Sequence, residues 1–93
     1  MDGVAGHDAP ERTTRDVQSA LAAIAAAAGF VSDVHDVRVR DTADGEIVNF
    51  HGTVDPALTV TEVHDRFDEI ERALRARFPS IKRVVGHAEP RRD

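Results

Sequence analysis

A chain of 93 residues with 41% apolar and 31% charged side chains makes one small domain with a modest core, of the size at which oligomerisation or a bound metal commonly adds stability. Its formal charge of −5 argues against a nucleic-acid surface, which needs a basic face, and the lack of cysteine removes disulfides and thiolate metal sites. The longest apolar run, Leu21 to Val31, is shorter than the roughly 20 residues a bilayer span requires, so the expectation is a soluble, cytoplasmic protein with no direct membrane insertion.

In chain order, residues 1–12 read as a disordered leader, with Gly3, Gly6 and Pro10 among polar residues and no apolar core of a signal peptide. His7 falls here and is expected to be a solvated tail residue. A helix is expected over 14–28, with Thr13 as its N-cap, Val17, Leu21, Ile24 and Ala28 at helical spacing, and Gly29 as its stop. Residues 31–40 alternate as a strand, His35, Val37 and Val39 on one side and Asp36, Arg38 and Arg40 on the other. After a turn at Asp44-Gly45, residues 46–54 form a second strand. It places Val48, Phe50 and Val54 on one face and Ile47, Asn49, His51 and Thr53 on the opposite one.

Asp55-Pro56 ends that strand, and Thr59-Val60-Thr61-Glu62 is a capping box that starts a second helix near Val60. Its apolar stripe is Val60, Val63, Phe67, Ile70, Leu74 and Phe78, and Pro79 closes it. A third strand over 81–88 ends at Pro90, leaving 91–93 as a tail. The order α-β-β-α-β, with a right-handed β-α-β crossover, implies an α+β two-layer sandwich with two helices on one face of a three-stranded mixed sheet.

The chemistry-bearing residues are dispersed. Of five histidines, His35, His51, His64 and His87 fall inside expected elements. His87 and Glu89 are two apart on a strand, so both point to one face, where an imidazole and a carboxylate can share a metal ion. His64 stands one turn before Asp68, a spacing that by itself makes a surface contact. Asp65, Asp68 and Glu69 read as a solvated helix face. Taken singly, each histidine is more often a hydrogen-bonded structural residue. Together, four histidines and Glu89 are enough for one full zinc site or two incomplete ones, with Asp36, Asp65 or Asp68 as acceptors for the far imidazole N–H.

These pieces have a familiar arrangement. Val34-His35-Asp36-Val37-Arg38-Val39-Arg40, then Phe50-His51, then Val54-Asp55-Pro56 with Leu58-Thr59-Val60, then Val63-His64, Phe78-Pro79 and His87-Ala88-Glu89-Pro90, resemble the C-terminal cytoplasmic domain of cation diffusion facilitator (cation efflux) transporters. The likeness takes in the preceding helix and places the domain at 13–90. It implies a metallochaperone-like (ferredoxin-like) fold, a homodimer, and divalent metal bound at or near the dimer interface that changes how two subunits sit. By position it implies His35, His51, His64, His87 and Glu89 as metal ligands, Glu89 standing where Asp is frequent in the family, and zinc as the first expectation among transition metals.

The chain lacks the membrane transport site of such transporters, and the acidic stretch after Met1 is read as favouring a free-standing version over an excised domain. The expected function is metal sensing, regulation of a cation efflux transporter as partner, or metal buffering. The alternative is a metal-independent dimerisation module with relic sites. Nothing in the sequence supplies a nucleophile elbow or phosphate loop for a hydrolase.

Overall fold

The computed structural model describes residues 7–92. Two helices, α1 (Glu11–Ala28) and α2 (Val60–Arg77), cover one face of a sheet with strands β1 (His7–Asp8), β2 (Val31–Thr42), β3 (Gly45–Val54) and β4 (Ile81–Pro90) in the order β1-β2-β3-β4. β2 and β3 form the antiparallel hairpin, and β4 returns parallel to β3 after the α2 crossover. This is the expected α+β sandwich around a three-stranded mixed sheet, with one addition. Within the stretch read as a leader, His7–Asp8 pairs with Asp41 and Arg40 at the free edge of β2. Residues 1–6 of that leader lie outside the described residues.

Helix α1 begins at Glu11, ahead of the expected start, and its cap is Pro10 instead of Thr13. Pro10 has an extended ψ of 148° and its carbonyl accepts from Thr14 N–H at 3.1 Å. Glu11 then places a carboxylate at the positive end of the helix dipole. Gly29 ends the helix at φ 80°, a left-handed conformation that glycine adopts without a Cβ clash. The buried stripe is Val17, Ala20, Leu21 and Ala25, with Ile24 half-buried, so Ala28 faces solvent.

Helix α2 begins where the capping box puts it. Thr59 Oγ1 accepts from Glu62 N–H at 3.0 Å, and Glu62 Oε1 accepts from Thr59 N–H at 2.9 Å. These bonds hold the Glu62 carboxyl below its ordinary pKa, the backbone bond from Thr59 first. Ile70 and Leu74 are fully buried and Val63, Phe67 and Phe78 pack on the core, but Val60 is 87% exposed. As the first helical residue it stands before the stripe turns onto the sheet.

The β3 alternation holds along its length: Val48, Phe50, Gly52 and Val54 are buried under the helices, and Ile47, Asn49, His51 and Thr53 face outward, half-exposed. The β2 alternation does not. Its pairing with β3 slips by one residue between Ser32 and His35 and again between His35 and Arg38. Asp33 and Asp36 both take a φ of 51° at these slips. Two bulges in one strand, each with an aspartate in the left-handed region that Asp tolerates better than most residues, reset its facing twice. Val31 and Val39 pair with Val54 and Val48 on the inner face. His35 pairs with His51 and so shares the outer face with Arg38 and Arg40, not with Val39.

The core is Val17, Leu21, Val31, Val39, Val48, Phe50, Ile70, Leu74 and Ile81 with small residues between them. Leu74 is completely excluded from solvent. Leu74→Ala is expected to lower unfolding free energy by about 2–5 kcal/mol, read as a shift in the urea midpoint at unchanged slope.

Candidate metal centre on the open sheet face

Pairing across three strands assembles the site. His35 on β2 is opposite His51 on β3, which is opposite His87 on β4, making one row of imidazoles across the sheet. The next row outward pairs Ser32 with Thr53 and Thr53 with Glu89. Directly paired residues lie on one side of a sheet, so three histidines and one glutamate share the face the helices leave open. The His51 and His87 rings stack at 4.9 Å and 24°, and those of His35 and His51 meet at 5.5 Å and 43°.

Glu89 joins two of these imidazoles. His51 Nδ1–H donates to Glu89 Oε2 at 2.7 Å, and His35 Nε2 lies 3.3 Å from Oε1 of the same carboxylate. On its other side the His35 ring donates Nδ1–H to the carbonyl oxygen of Asp33 at 2.6 Å. That bond is available because the first bulge turns the Asp33 backbone toward the ring. It fixes the proton on Nδ1 and leaves Nε2 directed at the cluster, the arrangement that orients metal-binding histidines.

The electrostatics match this geometry. The hydrogen bond to Asp33 raises the His35 pKa above its ordinary 6.5, against a smaller opposing effect of desolvation, and the carboxylates of Glu89, Asp33 and Asp36 add to the rise. Glu89 is held below its ordinary 4.5, first by the hydrogen bond from His51 and then by the charge of His35.

Asp36 is the residue that sequence reasoning underrated. Strict alternation places it across the strand from His35, as an outer acceptor at most. The second bulge brings its carboxylate to the cluster, where ligand atoms of His35, Asp36 and His51 lie within 4.8 Å of one another. A bulge is not written in hydrophobic periodicity; the signal available was an aspartate on either side of a histidine.

His64 stands apart. It lies on α2, in the layer on the opposite side of the sheet, 71% exposed and 3.3 Å from Asp68. His35, by contrast, is 34% exposed. The sheet thus collects His35, His51, His87 and Glu89, and His64 is not among them within one chain. The backbone of His7 pairs with Asp41 at the β2 edge.

Imidazole nitrogen with carboxylate oxygen suits zinc and its first-row neighbours. Tetrahedral zinc with donors about 2 Å away needs those donors about 3.3 Å from one another. The ligand atoms of His35, Asp36 and His51 lie within 4.8 Å of one another, a separation that small side-chain rotations close, so these three fit such an ion.

The fold and the side chains gathered on its open face define an α+β domain with a candidate metal centre, and comparison with known proteins names the family. The family described as "Cation efflux protein, cytoplasmic domain" matches residues 10–91, and the chain belongs to it. The chain is 30% identical over 60 residues to the cation-efflux pump FieF of Pectobacterium atrosepticum and equally to that of Escherichia coli. That match takes in 64% of this chain but only 20% of each pump's length. Among solved structures, CzrB in its Zn form is similar with a TM-score of 0.81 at 28% identity, over 94% of this chain and 98% of that one. The metal-bound C-terminal domain of the CzcD transporter from Thermotoga maritima is similar with a TM-score of 0.75 at 25% identity, over 85% and 92%. No helix among the described residues is long and apolar enough to cross a membrane.

The pKa directions set a pH dependence for the metal-free fold. His35, raised, contributes stability that is fully present below 6.5 and is lost as pH rises through its folded value. Glu89, lowered, contributes stability present above 4.5 and lost as pH falls through its folded value. Glu89→Gln is therefore expected to lower the denaturation midpoint of metal-free protein most between pH 4.5 and 6.5, and least in alkaline buffer. Urea melts across that range check it.

Proposed function

We propose that this chain is a cytoplasmic divalent-metal-sensing domain, acting as a homodimer. His35, His51, His87, Glu89 and Asp36 hold a transition metal, zinc first, on the open sheet face. The observation that carries the reading is the Glu89 carboxylate between two imidazoles, one of which has its far nitrogen fixed on the Asp33 carbonyl. The solved relatives support it: one is a Zn form and another a metal-bound domain.

A bound metal would take the His35 Nε2 position that faces Glu89 and would offset the charge of the carboxylates around the ring. An ion on an open sheet face has room for donors from a second copy. His64, exposed and absent from its own chain's cluster, is available for that role in a homodimer. Metal then favours the packing of two subunits that completes the site, a population shift that a cation efflux transporter can read. Buffering of the metal uses the same residues without the transporter.

A second reading has its own observation. The pairs of Glu89 with His35 and His51 satisfy the face without any metal. A domain that kept only its dimerising fold, with relic sites, would look the same in that respect.

Calorimetric titration of zinc into metal-stripped protein near neutral pH separates the two. Saturable binding with micromolar or tighter affinity is expected; no saturable heat with zinc, cobalt or nickel supports the metal-independent module. Asp36→Asn is expected to weaken binding by about 10-fold or more, and His35→Ala with His87→Ala to abolish tight binding while the circular dichroism spectrum is retained. Because His35 must lose its proton to bind, affinity is expected to fall about 10-fold for each pH unit below its raised pKa. A flat profile there excludes His35 as a ligand.

A further inference from the structure

On the reverse of the histidine row the sheet is in unusually close contact with α2. Gly86 immediately precedes His87 and pairs with Phe50, one position before the His51–His87 pair. A Cβ at Gly86 would fall on the Cδ2–Cε2 edge of Phe67 and 2.9 Å from Phe50 Cζ. Phe67 in turn stacks on Phe50 at 5.5 Å and 18°, and its far side meets Phe30 at 6.1 Å. The Arg66 guanidinium lies over the Phe30 ring at 5.6 Å from its centroid. The Phe67 ring therefore occupies the side-chain space of Gly86 and bears on both β3 and β4, at the level of the stacked imidazoles on the other face.

We infer that Phe67, seated on Gly86, is a positioning residue for the metal centre. It sets the height of β4 against β3, and with it the spacing of His51 and His87. The inference rests on the metal-binding reading above and adds to it a residue that touches no ligand. Two neighbouring strands at van der Waals packing density cannot shift on one face without shifting on the other. A change in the seat of α2 thus moves the imidazole row, and α2 carries His64 one turn before Phe67.

The test uses cobalt(II), which reports affinity by titration and ligand geometry by its visible absorption. The variants are Gly86→Ala, Phe67→Ala and the two combined, each checked for folding by urea melt. In Gly86→Ala the new methyl meets Phe67. Cobalt affinity is expected to fall about 10-fold or more, with an altered absorption band. In the double variant the clash with Phe67 is gone and only the 2.9 Å approach to Phe50 Cζ remains, so part of the lost affinity and a shift of the band back toward the original are expected, although Phe67 is gone from the core. Recovery of affinity and band in the double variant while its urea midpoint stays below wild type distinguishes positioning from plain destabilisation, in which affinity would follow the midpoint.

Folded Gly86→Ala with wild-type affinity and band overturns the inference, as does a folded double variant no better than Gly86→Ala. Should Gly86→Ala not fold, Phe67→Ala decides: a changed band supports the inference, and an unchanged band with unchanged affinity overturns it. Failure of the wild type to bind cobalt or zinc overturns the metal reading instead. The His51 and His87 ring-proton NMR shifts of metal-free protein then carry the test. They are expected to move in Gly86→Ala and revert in the double variant; unmoved shifts overturn positioning independently of any metal.

Discussion

Burial of Phe50 organises this molecule. Its ring is almost wholly excluded from solvent, stacked on Phe67 from α2 and set above the bare backbone of Gly86 on β4. An aromatic ring of this size supplies a large share of the apolar burial in so small a core. Its position also fixes which way β3 faces. With Phe50 inward, the two-residue period of a strand makes His51 point outward, and the parallel register then carries His87 to the same side. The functional face is a consequence of where the core anchors the central strand.

β2 reaches the same face by a different route. A regular strand running from Val31 to Val39 would put every odd-numbered residue inward, His35 among them. The two bulges at Asp33 and Asp36 break that rule, keeping both valines in the core and turning His35 outward. Each bulge also contributes chemistry: the first aims a carbonyl at His35 Nδ1, the second brings the Asp36 carboxylate into the cluster. Local backbone strain and the candidate metal centre coincide, and functional sites are where such strain collects.

The remaining charges are arranged around that centre. Glu89, at the outer end of β4, balances His35 and His51, while Arg38 on the same face pairs loosely with Asp8 of the edge strand. The helix layer lies behind the sheet, which leaves the histidine row uncovered among the described residues. His64 belongs to that rear layer, which is why linear order, with His64 between His51 and His87, is a poor guide to the set one chain brings together.

The amino-acid sequence by itself determined the elements and most of the core. Helical spacing in 14–28 and 60–78, the Thr59–Glu62 capping box and the β3 alternation are local patterns, set by hydrogen bonding and hydrophobic periodicity over a few residues. His51, His87 and Glu89 could be placed on strand faces by the same local rule. Only the tertiary structure decided that Glu89 sits between His35 and His51, that Asp36 joins them, that His64 does not, and that a short edge strand precedes α1. Those outcomes depend on strand register, on two single-residue slips and on packing between elements far apart in sequence, none of which leaves a periodic trace along the chain.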